Sequence, residues 1–138
     1  MTVLVDTPVW SLALRRRPAD LRGRDRRLKQ YLSELVREGR VQLLGAIRQE
    51  ILSGIREEAQ FGRIRNDLRA FEDVALTVDD YEEAAQMSNR CRRSGIASSA
   101  TDMLICAASA RRRWQIFSTD RDFAHYRRVL SIQLLNVS

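Results

Sequence analysis

The chain is poor in several residue types, and each shortage narrows its chemistry. Its two cysteines, Cys91 and Cys106, lie far apart without metal-ligand spacing, which argues against a disulfide framework or a thiolate metal site and fits a reduced cytoplasmic protein. The one histidine, His125, follows Phe123-Ala124 in what reads as a short surface helix, a structural or solvated place rather than that of a general acid–base group. The one lysine is Lys29, so no lysine stands late in the chain, where a receiver domain needs one. No apolar run approaches a membrane span, and the N-terminus enters Thr2–Val5 without a signal-peptide pattern. There is no internal repeat, low-complexity tract or dividing linker, so residues 1–138 read as one domain.

What the chain does have is arginine. Of 24 basic residues, 23 are arginines, and the net charge is +6. They cluster at Arg15-Arg16-Arg17, at Arg24 with Arg26-Arg27, and at Arg92-Arg93, Arg111-Arg112-Arg113 and Arg127-Arg128. Any one cluster reads equally well as a solvated helix end or loop. Several beside an acidic pocket favour a phosphate-backbone partner, since guanidinium groups grip phosphate in two-pronged fashion and stack on bases. Hydrophobic residues, 44% of the chain, suffice for a core.

Short apolar runs alternate with stretches of helical period. Strands are expected at 2–5, 41–44, 74–76, 115–118 and 131–135, and helices at 25–38, 47–57, 64–71, 80–93 and 101–111. In the first helix Leu28, Tyr31, Leu32, Leu35 and Val36 form one buried face. Gly39 and Gly95 read as left-handed helix ends, and Asp79 with Glu82 and Ser99 with Asp102 as capping boxes. Residues 15–24 and 57–65 are expected to be mobile. Strands separated by helices imply an α/β fold: a central, mainly parallel five-stranded sheet with helices on both faces, its ligands gathered at the carboxyl ends of the strands.

Four acids resist a structural explanation. Asp6 ends the apolar run Thr2-Val3-Leu4-Val5, and Asp120 follows Gln115-Ile116-Phe117-Ser118-Thr119, both at strand ends. Asp102 opens the apolar helix Thr101–Ala108, where the helix dipole favours an ionised carboxylate, and Glu50 lies one turn into the helix after the second strand. Each alone has a bland reading as a cap, turn or surface residue. Carboxylates brought together near a core repel unless a cation joins them, and hard oxygen donors suit Mg²⁺ or Mn²⁺. The four together therefore point to a divalent-metal site that cuts nucleic acid.

These segments also resemble a known family. Val5-Asp6-Thr7-Pro8-Val9-Trp10, Arg48-Gln49-Glu50-Ile51-Leu52-Ser53-Gly54, Thr101-Asp102-Met103-Leu104-Ile105-Cys106-Ala107-Ala108 and Ser118-Thr119-Asp120-Arg121-Asp122-Phe123 look, in order and spacing, like those of PIN-domain ribonucleases, specifically the VapC-like toxins of toxin–antitoxin pairs. The resemblance implies a PIN-like domain with catalytic Asp6, Glu50, Asp102 and Asp120, the same acids holding Mg²⁺ or Mn²⁺, and Asp122 as a further metal ligand or orienting group. Thr7 and Thr119 would add hydroxyls. Pro8 stands where a small hydroxyl residue is common, and Cys106 where alanine is common; neither departure removes a carboxylate. The implied activity is hydrolysis of structured RNA such as tRNA or ribosomal RNA. The implied partners are a VapB-like antitoxin and a second copy of the chain in a homodimer. Leu12, Leu14 and the apolar faces near Ile51, Ile55 and Leu68 would form part of the antitoxin groove or simply fill the core, and Trp10, which reads first as core or edge packing, sits near Asp6 and could stack on a base. The competing readings are a non-catalytic RNA- or protein-binding module and a housekeeping RNA-processing nuclease.

Overall fold

The computed structural model describes residues 1–137. A parallel sheet of four strands is ordered β2-β1-β3-β4, with β1 Val3–Val5, β2 Val41–Gln42, β3 Gln115–Phe117 and β4 Gln133–Leu134. The helices are α1 Thr7–Leu14, α2 Gly23–Arg37, α3 Gly45–Leu52, α4 Glu58–Leu68, α5 Val78–Arg93, α6 Ala100–Arg112 and α7 Asp122–Tyr126, with a 3-10 turn at Pro18–Asp20. Val3, Leu4 and Val5 are fully buried although successive strand residues face opposite ways, so both faces of the sheet at β1 are covered. From β1 the chain crosses to β2 on one side and later to β3 on the other. The switch point between β1 and β3, where a crevice opens at the carboxyl ends, places Asp6 beside Ser118.

Four expectations are corrected. Residues 74–76 form no strand: the sheet has four strands, not five, among the described residues. Contact with β2's end is limited to a parallel bridge between Leu43 and Asp73 and the Val74 N–H donated to the Leu43 carbonyl at 2.9 Å. α3 begins at Gly45, so no extended backbone remains for 74–76 to pair with, and Arg48 pins the preceding segment instead. Its guanidinium donates to the Leu68 and Phe71 carbonyls at 3.0 and 2.6 Å and to Asp73 at 2.9 Å. The helix expected over 47–57 ends at Leu52, and the corner expected at 57–65 lies largely in α4, whose buried Ile64 and Leu68 fix it to the core. The box at the start of α5 joins Thr77 and Asp80, not Asp79 and Glu82. Asp80 is fully buried, and Arg112 grips it with two bonds at 2.7 and 2.8 Å while Arg111 adds a third, so the distant arginines select this frame. They hold the Asp80 carboxyl well below its ordinary range.

Other expectations stand. Gly39 and Gly95 have φ of +67° and +73°, the left-handed region that glycine enters without a Cβ clash. Leu28, Leu32 and Leu35 form the buried face of α2, with Tyr31 half-buried at its edge; Val36, expected on that face, is exposed instead. Cys91 and Cys106 are free and buried. Trp10 is buried, its Nε1–H donated to the Val5 carbonyl at 3.0 Å and its ring edge-on to Phe71, so it is a core residue and not a base platform.

Candidate active site

Asp6 is the N-cap of α1. Its Oδ1 accepts the Thr7 N–H at 2.8 Å and its Oδ2 the Ser118 hydroxyl at 2.7 Å, which ties the end of β1 to the end of β3. The carboxyl is only 4% exposed. Burial pushes its pKa from 3.8 up to about 6; the two hydrogen bonds oppose the rise, and the charges of Asp102 and Glu50 add to it. Pro8 falls in the first turn of α1, where its missing N–H costs nothing.

Asp102 sits in the first turn of α6, below the Ser99 cap, whose Oγ accepts the Asp102 N–H at 3.1 Å. Its Oδ2 accepts the Tyr126 hydroxyl at 2.6 Å. Half-burial raises the Asp102 pKa, Tyr126 opposes that, and the neighbouring Asp120 adds to it. Asp120 accepts the Asp122 N–H at 2.9 Å, and its own N–H is donated to Ser118 Oγ at 3.0 Å. Asp102, Asp120 and Asp122 each offer a carboxylate oxygen within 4.8 Å of the others. Asp6 adjoins this trio, and Glu50 is exposed on α3, both close enough to act electrostatically: Asp6 feels Asp102 and Glu50, and Asp102 feels Asp120 and Asp122.

The five acids singled out in the sequence thus meet in one region, with the tight trio formed by Asp102, Asp120 and Asp122. Two supporting residues were not singled out. Ser118 bridges Asp6 and Asp120, and its signal was a hydroxyl residue between an apolar strand and an acid. Tyr126 carries none, because only the packing of α7 against α6 brings it to Asp102. It is buried, edge-on to Phe123 at 5.3 Å between ring centres, and burial with the Asp102 contact keeps its hydroxyl protonated.

The donor set fits a hard divalent cation. All the candidate ligands are carboxylate oxygens, the type Mg²⁺ and Mn²⁺ take, and the Thr7 Oγ1 beside Asp6 is buried without a hydrogen-bond partner. Burying carboxylates this close without a cation is costly, as the raised pKa values of Asp6 and Asp102 record.

Two apolar surfaces lie elsewhere. A groove of about 340 Å³ between α1, α2 and α4 is lined by Trp10, Ala13, Leu14, Leu32, Leu68 and Phe71. Of the residues expected in an antitoxin groove, Leu14 and Leu68 line it, whereas Ile51 and Ile55 are buried in the core. Leu12 lines a separate, more polar cavity with Pro8, Arg15 and Arg16. The second surface spans α5 and α6, where Tyr81, Ala84, Met103 and Leu104 line a cavity of about 410 Å³ and Val78 and Tyr81 are exposed.

The sequence profile of the PIN domain matches residues 3–129. No curated protein matches the chain by sequence. Among solved structures, FitAcB from Neisseria gonorrhoeae is similar at a TM-score of 0.73 and 17% identity, over 98% of this chain and 97% of that one. VapBC2 from Rickettsia felis, bound to a DNA fragment from its promoter, is similar at 0.75 and 11%, over 100% of both chains. VapBC-5 from Mycobacterium tuberculosis, a member of the VapBC family of toxin–antitoxin systems, is similar at 0.67 and 17%, over 99% of this chain and 100% of that one. At these identities the likeness is one of fold.

Proposed function

The chain belongs to the PIN domain family, and from that premise we propose that it is a VapC-like toxin, a Mg²⁺- or Mn²⁺-dependent endoribonuclease acting in the cytoplasm on structured RNA such as tRNA or ribosomal RNA. The observation that carries the reading is the convergence of Asp102, Asp120 and Asp122, with Asp6 adjoining, at the switch point of a parallel sheet in a chain of net charge +6.

In this reading Asp6, Asp102 and Asp120 hold the ion, with Asp122 and Glu50 completing the acidic rim. A bound Mg²⁺ or Mn²⁺ supplies positive charge at the scissile phosphate and lowers the pKa of water beside it. Ser118 and the Thr7 N–H fix the Asp6 carboxylate, and Tyr126 fixes Asp102, so the ligands are held before the ion arrives. Glu50, exposed at the rim, orients the attacking water and takes its proton. The water oxygen bonds to phosphorus, the bond to the 3′ oxygen breaks, and that oxygen takes a proton from solvent water, giving a 5′-phosphate and a 3′-hydroxyl, while Glu50 returns its proton to solvent. Arginines around the rim hold the backbone.

Two partners follow from the surfaces. The α1–α2–α4 groove suits an apolar helix of a VapB-like antitoxin, and the α5–α6 surface a second copy of the chain. VapBC-5 is by its own description a member of a family of toxin–antitoxin systems, which supports an antitoxin partner here.

The test is cleavage of a mixture of total tRNA and ribosomal RNA by purified, antitoxin-free protein in Mg²⁺ or Mn²⁺ and in EDTA, beside Asp6→Asn and Asp102→Asn. Discrete cuts that need metal and vanish in both variants are expected. Cutting that persists in the variants refutes the site, and folded protein that binds RNA without cutting it favours the non-catalytic module.

A further inference from the structure

A cavity of about 450 Å³ opens beside the acidic trio, between the start of α2, the carboxyl end of β3, α7 and the segment after β4. It shares Ser118 and Asp120 with the acidic site, so whatever fills it lies next to the reacting centre. Arg24, Arg121 and Arg127 reach its wall from three places in the fold: α2, the turn before α7, and the residue that ends α7. Among the described residues none of the three has a carboxylate partner, whereas Arg16, Arg40, Arg48, Arg90, Arg111 and Arg112 all do. Asp120 is the one carboxylate in the wall. Cations gathered in a concave place without partner anions focus a positive potential, and α2 adds the partial charge of an N-terminus without a side-chain cap. The lining also includes the apolar side chains of Leu134 and Leu135, with the buried Ile116 behind them, and Asn136.

We propose that this cavity is a nucleotide subsite: it holds the nucleotide next to the scissile bond, with that nucleotide's phosphate on Arg24, Arg121 and Arg127 and its base against Ile116, Leu134 and Leu135. The proposal rests on the nuclease reading for what is cut, but its geometry is separate from the metal ligands. The three-arginine grip would fix which phosphate lies beside Asp120, the carboxylate that the cavity shares with the acidic trio. The apolar wall accepts a base by its face, and the Asn136 amide, with a donor and an acceptor, can read the base's edge.

The experiment is fluorescence anisotropy of a labelled single-stranded RNA oligonucleotide in EDTA, in an Asp102→Asn background, between about 50 and 200 mM salt, the range over which phosphate contacts are most legible. Arg24→Ala/Arg121→Ala/Arg127→Ala and the single change Arg24→Ala are compared with Arg37→Ala, which removes the same charge as the single change from the far end of α2, roughly 20 Å along its axis. Loss of the one phosphate contact that the three arginines share should weaken binding and make the slope of log affinity against log salt shallower by about 0.7. Arg37→Ala should leave the slope as it was. A triple variant that binds with the unaltered slope overturns the proposal and leaves the arginines to a protein partner. If the triple variant does not melt cooperatively, the single changes Arg24→Gln, Arg121→Gln and Arg127→Gln are each expected to weaken binding and to remove part of that roughly 0.7 from the slope; affinity and slope unaltered in all three overturn the proposal equally. Because no step of this assay needs cleavage, arginine-dependent binding by a protein that cuts nothing keeps the subsite and discards the nuclease, and cutting with arginine-independent binding does the reverse.

Discussion

Asp6→Asn should stabilise the metal-free protein, and the gain should depend on pH. The native carboxyl titrates near 6 and the unfolded one near 3.8, chiefly because Asp6 is buried. The native state therefore keeps its proton longer. As pH rises through this interval the unfolded chain loses its proton first, and stability falls; above 6 both states are ionised and the loss is complete. At 1.36 kcal/mol per tenfold change in proton affinity, the full cost is roughly 3 kcal/mol at pH 8. Asparagine has the same shape without the charge. Its carbonyl can keep the Thr7 N–H, while its amide must donate to Ser118 Oγ, so some hydrogen-bond quality is lost, about 1 kcal/mol. The expected net gain is about 2 kcal/mol at pH 8 and none below pH 4. Urea denaturation in EDTA at pH 4, 6 and 8 measures it. Added salt should leave most of the gain, because burial, which salt does not screen, outweighs the charges of Asp102 and Glu50. A variant less stable than the parent at pH 8, or a difference that does not change with pH, refutes the reasoning.

Tyr126→Phe keeps the ring beside Phe123 but removes the hydroxyl donated to Asp102, so Mn²⁺ affinity measured by calorimetry should fall about 10- to 100-fold while the melting transition moves little. Arg48→Ala leaves the Leu68 and Phe71 carbonyls and Asp73 without their donor and should cost about 2–3 kcal/mol in urea unfolding. Asp80→Ala strands the guanidinium of Arg112 against a buried site and should cost about 3–5 kcal/mol. The parent's own Asp80 contribution is present above about pH 4 and drains away as the pH falls from there towards the depressed native value, because the unfolded chain takes up its proton first, so an Asp80→Asn variant should lose less stability on going from pH 4 to pH 2.

The strands β1 and β3, the buried face of α2 and the acids were legible because each depends on local pattern: a short apolar run, a 3.6-residue period, a charge out of place. The failures share a different cause. Residues 74–76 have strand composition, but a strand needs a free neighbour, and β2 has already turned into α3. Asp79 and Asp80 offer two overlapping frames for a cap, and Arg111 and Arg112, more than thirty residues on, decide between them. Thr7-Pro8 reads as a turn as readily as a helix start; Asp6 capping the helix and a buried Val9 and Trp10 make it the latter. Tyr126 and the arginine-lined cavity exist only after α7 and β4 have docked.

The sheet order has a temporal consequence. β1 is made first but sits between β2 and β3, so its second edge stays open until β3 is made, and Ser118 is 112 residues from the Asp6 it holds. At about 5–20 residues per second, a ribosome needs roughly 6–20 s to bring that hydroxyl into existence. During that interval Asp6 has no lid, Asp120 has not been synthesised, and Asp102 lacks Tyr126. The acidic centre therefore forms only once nearly all of the domain has been made.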